Sequence, residues 1–458
     1  MSATSTATPR AQPPSAGAPY SEVQRQNARP RLPAFAFLAA QLGLSLYVVR
    51  EFNVQSPALF LLCCLTFGAF VLHYFTPLAY KKSVFLACSL VGGYFVLVHA
   101  DPAVFPGPVE YLASGVFLFG LLALAGVSWA ILNAPLSAGV RVGTVVAVAA
   151  ALAYLRMRGG FLSDGQWRVV GGIFMFRLIV YAHEIVTRKR RETPIDTFSY
   201  FLLLPNFHFS LFPVIDYDTF KKSWYASDIH ATAQRGVAWI VRGIVQLCLH
   251  RLLDRRVAIA AEQVNSLLTL CQFIFPTYLL YMQVSGQFHL IAGMLHLFGW
   301  RLPETNRNWL LADSFTDFWR RINVYWKDFM VKCFYYPTYF RLRKTNEKLA
   351  LVAATAVVFV STTLLHGYQT FWFNGEFRVS VPDAVFWGTL GVLVMFGVLR
   401  QSAKPAPRAR LASATPAGRL RKVASTIGVY LFISVLWSIW SSPSLVDWLD
   451  AVTYWRRS

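Results

Sequence analysis

The chain is 458 residues long, 55% hydrophobic and 16% aromatic, with 14% charged residues and a mean hydropathy of +0.44. Soluble domains carry about 25% charged residues, so composition excludes an ordinary soluble enzyme. The 43 Lys and Arg against 22 Asp and Glu give a formal charge of +21. They punctuate the ends of apolar segments, as the positive-inside pattern of membrane proteins requires, and do not form the clustered basic face of a nucleic-acid-binding protein.

Residues 1–33 are rich in Ala, Ser, Thr and Pro and hold no apolar block, so they are expected to form a disordered cytoplasmic tail. No apolar stretch sits early enough for a cleaved signal peptide. A bilayer-spanning helix needs about 20 apolar residues. Candidate spans follow at 34–50, 57–76, 82–99, 110–133, 138–156 and 167–187, then at 197–213, 234–252, 258–299, 349–366, 383–400 and 423–440. The 258–299 stretch is long enough for two passes with a break near Ser285-Gly286. Alternation from a cytoplasmic N-terminus puts Lys81-Lys82 and the run Arg188-Lys189-Arg190-Arg191 inside, in agreement with the charge rule. The loop from Arg400 to Lys422 holds seven Lys or Arg and no acid, which assigns it to the same side. The expected architecture is one all-α integral-membrane domain over residues 34–458, with about 11 spans and amphipathic or re-entrant helices around a central tunnel.

One region is too polar to span. Between Trp300 and Lys348, Arg320, Arg321, Lys327 and Lys332 alternate with Phe315, Phe318, Trp319, Tyr325, Trp326 and Phe329. Their helical spacing predicts amphipathic helices at or dipping into the membrane interface. Six cysteines (Cys63, Cys64, Cys88, Cys248, Cys271, Cys333) show no Cys-x-x-Cys spacing, so neither a disulfide framework nor a zinc site is expected. Cys333 reads as inert. No phosphate-cradling glycine loop or Gly-x-Ser-x-Gly elbow occurs.

Of nine histidines, His366 is distinct because it closes the apolar run beginning at Leu349 and precedes Gly367. A titratable group at membrane depth is a functional-site hypothesis by default. His289 and His296 are seven apart and share a helix face. For these two, as for His183 and His208, packing is the safer reading, with a place in the tunnel left open.

The segment 284–330 contains Ser285-Gly286, Leu297-Phe298-Gly299, Arg301-Leu302-Pro303-Glu304, Ser314-Phe315, Phe318-Trp319-Arg320-Arg321 and Trp326-Lys327-Asp328 in that order. It is followed by LLHGYQTFWFNG around His366 and preceded by a looser block from Gly171 to Tyr217. Together these resemble the membrane-bound O-acyltransferase family over roughly residues 170–375, nearest to the bacterial branch of alginate O-acetyltransferases and the teichoic-acid D-alanylation protein. That branch usually has Trp-His where this chain has Ile322-Asn323. Asparagine at that place resembles the sterol, diacylglycerol and protein acyltransferases.

The resemblance implies acyl transfer from an acyl-CoA or acyl-carrier thioester, used as co-substrate, to a hydroxyl acceptor. The acceptor is a cell-envelope glycan or, alternatively, a lipid or other hydrophobic alcohol. His366 is the implied general base, with Asn323 as its partner for orienting substrate or stabilising charge. Arg320, Arg321, Lys327, Trp319 and Trp326 are the implied donor contacts. Lipid anchoring is an equal alternative for each of the three cations. The implied setting is a bacterial inner membrane, with a separate envelope protein as a partner and no nucleic acid. A transporter is the alternative class; it calls for repeated halves or ionisable residues along the spans, and neither is present. A non-catalytic scaffold is the third class.

Overall fold

The structure, a computed structural model, describes residues 20–99, 106–188, 191–402 and 415–456. The expected tail up to residue 19, Lys189 and Arg190, and residues 403–414 of the basic loop lie outside the described residues. Among the described residues the chain is helical, with one isolated bridge, Trp224 to Trp300, and no strand. Among the described residues, eleven stretches are long and apolar enough to cross a membrane. The chain is an all-α polytopic membrane protein.

The first six spans are α2 (Leu32–Glu51), α3 (Pro57–Phe75), α4 (Leu78–Val98), α5 (Pro108–Asn133), α6 (Ala138–Arg158) and the pair α7 (Asp164–Phe174) and α8 (Arg177–Arg188). Then come α11 (Ile229–Arg256), the pair α12 (Leu267–Leu279) and α13 (Met282–Leu297), α17 (Glu347–Asn374), α18 (Val381–Ser402) and α19 (Pro416–Ser441). Their starts carry local signals. Ser56, Ser137 and Thr415 accept backbone N–H bonds as N-caps, and Pro57, Pro108 and Pro416 stand in the first turn, where a missing N–H costs nothing.

Part of the expected tail is ordered. Ser21 and Gln24 form a capping box that opens α1 (Glu22–Asn27), and Gln24 and Asn27 donate to the carbonyls of Trp224 and Tyr225 at 3.3 and 2.9 Å. Two long-range side-chain bonds of this kind leave no hydropathy signal. The charges expected to mark the adjoining membrane edge are also used internally. Lys81 is buried and its Nζ donates to the carbonyls of His73 and Tyr74 at 2.6 and 3.0 Å, so it caps the end of α3. Lys82 pairs with Asp196 at 2.5 Å.

The expected span at 197–213 is not a span. It forms α9 (Pro194–Phe201), a single 3-10 turn at Leu204–Phe207 and irregular chain, because Pro205 and Pro213 interrupt the helix. This segment is buried in the protein, with Tyr200 OH donating to the Ile215 carbonyl at 2.6 Å. Such backbone is tolerated at membrane depth only when protein covers it. The short α10 (Tyr217–Ser223) follows.

The 258–299 stretch crosses once, with its break at Leu280-Tyr281 just after Pro276. Ser285-Gly286, expected to be the break, lies inside α13. A Cβ on Gly243 would stand 2.7 Å from the Gly286 carbonyl oxygen, and one on Gly236 would stand 2.7 Å from that of Gly293. Glycines seven apart on both helices therefore let α11 and α13 touch backbone to backbone.

The polar segment 300–348 forms α14 (Phe315–Arg321), α15 (Val324–Met330), a π turn (Val331–Tyr335) and α16 (Tyr336–Leu342). Of its aromatics, Phe318, Trp319, Tyr325, Trp326 and Phe329 are buried, whereas Tyr336 and Phe340 of α16 are exposed. Alternation of the spans puts α1, the 191–228 segment and the 300–346 segment on one face, called here the α1 face.

Candidate active site

Two interruptions of otherwise continuous spans, Met175-Phe176 and Leu280-Tyr281, face a common cavity of about 380 Å³. Irregular backbone at membrane depth is expected where it lines a cavity. The α14–α15 segment enters from the α1 face and contributes Trp319, Asn323 and Trp326 to its wall. From the opposite direction α17 contributes His366 and Gln369, α18 contributes Trp387, and α19 contributes Trp440 and Ser441. His366 and Asn323, 43 positions apart, thus line one cavity. His366 lies eight residues before the end of α17, or about 12 Å along the helix axis, so it is nearer the face opposite α1.

His366 is surrounded by indoles. The Trp387 ring stacks on it with centroids 4.8 Å apart, Trp440 meets it edge-on at 5.7 Å and Trp326 is tilted against it at 5.9 Å. Asp383, near the start of α18, is linked to this cage through Trp440. That carboxylate is fixed on both oxygens. Trp440 Nε1 donates to Oδ1 at 2.7 Å, while Ser380 donates its backbone N–H and hydroxyl to Oδ2 at 2.9 and 2.6 Å.

Asn323 has a structural duty. Its φ of 40° is left-handed, a conformation asparagine tolerates better than other non-glycine residues. Its Oδ1 caps α15 by accepting from Trp326 N at 3.2 Å. Its backbone N–H donates to Asn306 Oδ1 at 2.9 Å, an oxygen that also accepts from Tyr281 OH at 2.9 Å. The Asn323 Oδ1 is therefore engaged by the cap, and the Nδ2–H donors are left to meet a ligand. Trp326, positioned by this cap, donates its indole N–H to Thr362 Oγ1 at 3.4 Å.

The three sequence-assigned cations are not in the cavity wall. Arg320 is exposed and donates to Gln401 Oε1 at 3.2 Å. Arg321 pairs with Asp317 at 2.7 Å and Lys327 with Asp328 at 2.5 Å. Trp319 and Trp326 do line it. His289 and His296 are packing residues, each donating Nδ1–H to a carbonyl one turn back, Ser285 at 2.8 Å and Ala292 at 2.6 Å, and both lie against Trp239. His183 faces a separate groove and His208 packs on Phe209. Burial pushes the Cys333 thiol up to about 11, which keeps it protonated and inert.

Val214 separates the cavity from a smaller one of about 200 Å³ whose wall includes Asp216, Asp328 and Lys332. Lys332 bridges Glu184 and Asp216, and Arg188 joins Glu184 to Asp218 at 2.7 and 2.9 Å. The residues missed in the sequence are Asp383, Trp387, Trp440, Tyr281 and Gln369. Gln369 alone had a signal, since it follows His366 by three and shares its helix face.

No family model matches the chain, and among curated proteins none matches it.

Proposed function

We propose that the chain is a membrane-bound O-acyltransferase with His366 as its general base. The observation that carries this reading is the meeting of His366 and Asn323 in one tryptophan-walled cavity between broken helices. Both belong to the blocks that resemble the acyltransferase family.

The acceptor hydroxyl donates its proton to the imidazole as its oxygen bonds to the thioester carbonyl carbon. Collapse of the tetrahedral intermediate breaks the C–S bond, and the thiolate leaves with the proton that His366 had taken. Asp383 stabilises the imidazolium in between by charge. The free Asn323 Nδ2–H is a donor for the developing oxyanion. Exclusion of water by five indoles, Trp319, Trp326, Trp387, Trp437 and Trp440, strengthens both interactions.

The α1 face is taken as cytoplasmic because Lys81, Lys82 and the Arg188–Arg191 run adjoin it. A thioester donor, acyl-CoA or acyl carrier, then reaches the cavity from that side, and His366 receives an acceptor from the other. The modest, aromatic cavity suits a short acyl group and a sugar hydroxyl of a cell-envelope glycan in a bacterial inner membrane, with an envelope protein presenting it. Purified protein offered acetyl-CoA through palmitoyl-CoA with glycan and lipid alcohols tests this. Short-chain transfer to glycan is the expected result; exclusive transfer of long chains to lipid alcohols would reassign the acceptor, and no thioester consumption with any pair would count against the acyltransferase.

A further inference from the structure

Helix α6 stands apart from the rest of the bundle. Only Val145 and Arg156 on it are buried. Between α6 and α8 runs an apolar groove of about 600 Å³ whose wall includes Val142, Val145, Ala149 and Leu152 of α6. From Val142 to Leu152 the wall is ten residues long, about 15 Å at 1.5 Å per residue. That is half of a bilayer core of about 30 Å, the depth of one leaflet.

The groove changes character at its α1-face end. His183 and Thr187 enter the wall there, and the His183 Nδ1 is buried without a partner. Val186 leads into an adjoining cavity of about 310 Å³ that contains Arg141 and Arg191. Arg141 donates Nη1 to the Leu132 carbonyl at 2.7 Å, but its Nε is buried and unpartnered. Among the described residues no carboxylate pairs with either arginine. The acid beside them, Glu192, is taken by Lys221 and by Tyr217 OH. Half-buried Arg141, with its Nε unpartnered, and exposed Arg191 stand without a carboxylate at the headgroup end of a leaflet-deep apolar slot, where they suit an anion carrying a hydrocarbon chain.

We propose that this is a binding site for an anionic phospholipid of the α1-face leaflet, with its phosphate on Arg141 and Arg191 and one acyl chain in the groove beneath α6. The site is distinct from the candidate active site. Met175 and the Phe176–Tyr368 ring pair, 5.9 Å apart, form the wall between them.

The test reconstitutes full-length protein in nanodiscs of equal phosphatidylglycerol and phosphatidylcholine, extracts it into mild detergent and counts retained lipids by native mass spectrometry. Wild type should retain phosphatidylglycerol over phosphatidylcholine by about tenfold or more, as two arginine contacts imply. Arg141→Gln with Arg191→Gln should abolish that preference. Ala149→Trp, which fills the slot, should expel the lipid, whereas Ala150→Trp, on the exposed side of α6, should not. A wild type without preference between the two lipids overturns the site without recourse to any variant. Retention unchanged by the double substitution or by Ala149→Trp also overturns it, as does stoichiometric displacement of the lipid by palmitoyl-CoA, which would make a soluble acyl donor the occupant.

Discussion

The Trp440 indole donates to the Asp383 carboxylate at 2.7 Å across 57 positions of sequence. The same ring meets His366 edge-on at 5.7 Å. The link ties the end of α19 to the start of α18 and holds the carboxylate on the indole that also meets the imidazole. Asp383 also caps α18 through Ser380, whose Oγ accepts from the Asp383 N–H at 3.1 Å, so its two duties need separate tests.

Asp383→Asn should lower kcat by up to about 10²–10³-fold, the range for losing one preorganised electrostatic contact, with little change in the donor KM. Ser380→Ala should cost about 0.5–2 kcal/mol of stability as a lost cap and leave kcat near wild type. Steady-state kinetics beside thermal melts check this. Equal losses of kcat in both variants would reduce Asp383 to a capping residue.

Asn323 can be divided in the same way. Asn323→Asp keeps a capping oxygen but has no N–H to donate, so it should melt like wild type and lose about tenfold or more in transfer, since a charge-stabilising donor is worth more than that. Asn323→Ala should also lose about 1–2 kcal/mol of stability from the left-handed backbone. Wild-type turnover in the Asp variant would leave Asn323 as a cap alone.

The α11–α13 contact has no room for side chains. Gly243→Leu or Gly286→Leu should destabilise the protein by about 1–3 kcal/mol or more through overpacking, whereas Gly428, where an added Cβ would meet nothing within 4 Å, should accept Ala freely. Fluorescence-detected melting in detergent separates the two.

The Lys82–Asp196 pair joins α4 to α9. Burial pushes the Asp196 carboxyl up, but Lys82, Thr193 and Lys221 outweigh it and hold the group below the usual carboxylate range. Its stabilisation is therefore fully present above the unfolded value near 3.9 and is lost as pH falls through the lower folded value. Melting temperature should drop across this acid window in wild type by more than in Asp196→Asn, which at neutral pH should already be weaker by about 1.5–3 kcal/mol. Parallel acid slopes in the two proteins would contradict the assignment.

Hydropathy made the long spans legible because length and apolar content decide bilayer crossing. It misassigned residues 197–213, whose apolar side chains face protein rather than lipid, and it could not tell that Gly286 marks helix contact rather than helix end. The aromatic segment 300–348 has a composition shared by interfacial anchors and buried re-entrant helices. At the site, His366 was legible as the polar end of an apolar run, and Asn323 through its neighbouring block. Asp383 and Trp440, 17 and 74 positions beyond His366, were not, since only the packing of α17, α18 and α19 brings them together. Arg320, Arg321 and Lys327 were assigned by charge, and charge alone does not say which way a side chain faces.

The measurement that bears most directly on the central claim is thioester consumption by full-length protein in nanodiscs, wild type against His366→Ala, with acyl-CoA and a hydroxyl acceptor present. General-base catalysis by His366 predicts acceptor-dependent turnover in wild type and a loss of about 10²–10⁴-fold in the variant, at an unchanged melting temperature. Equal turnover by a folded His366→Ala protein would contradict it.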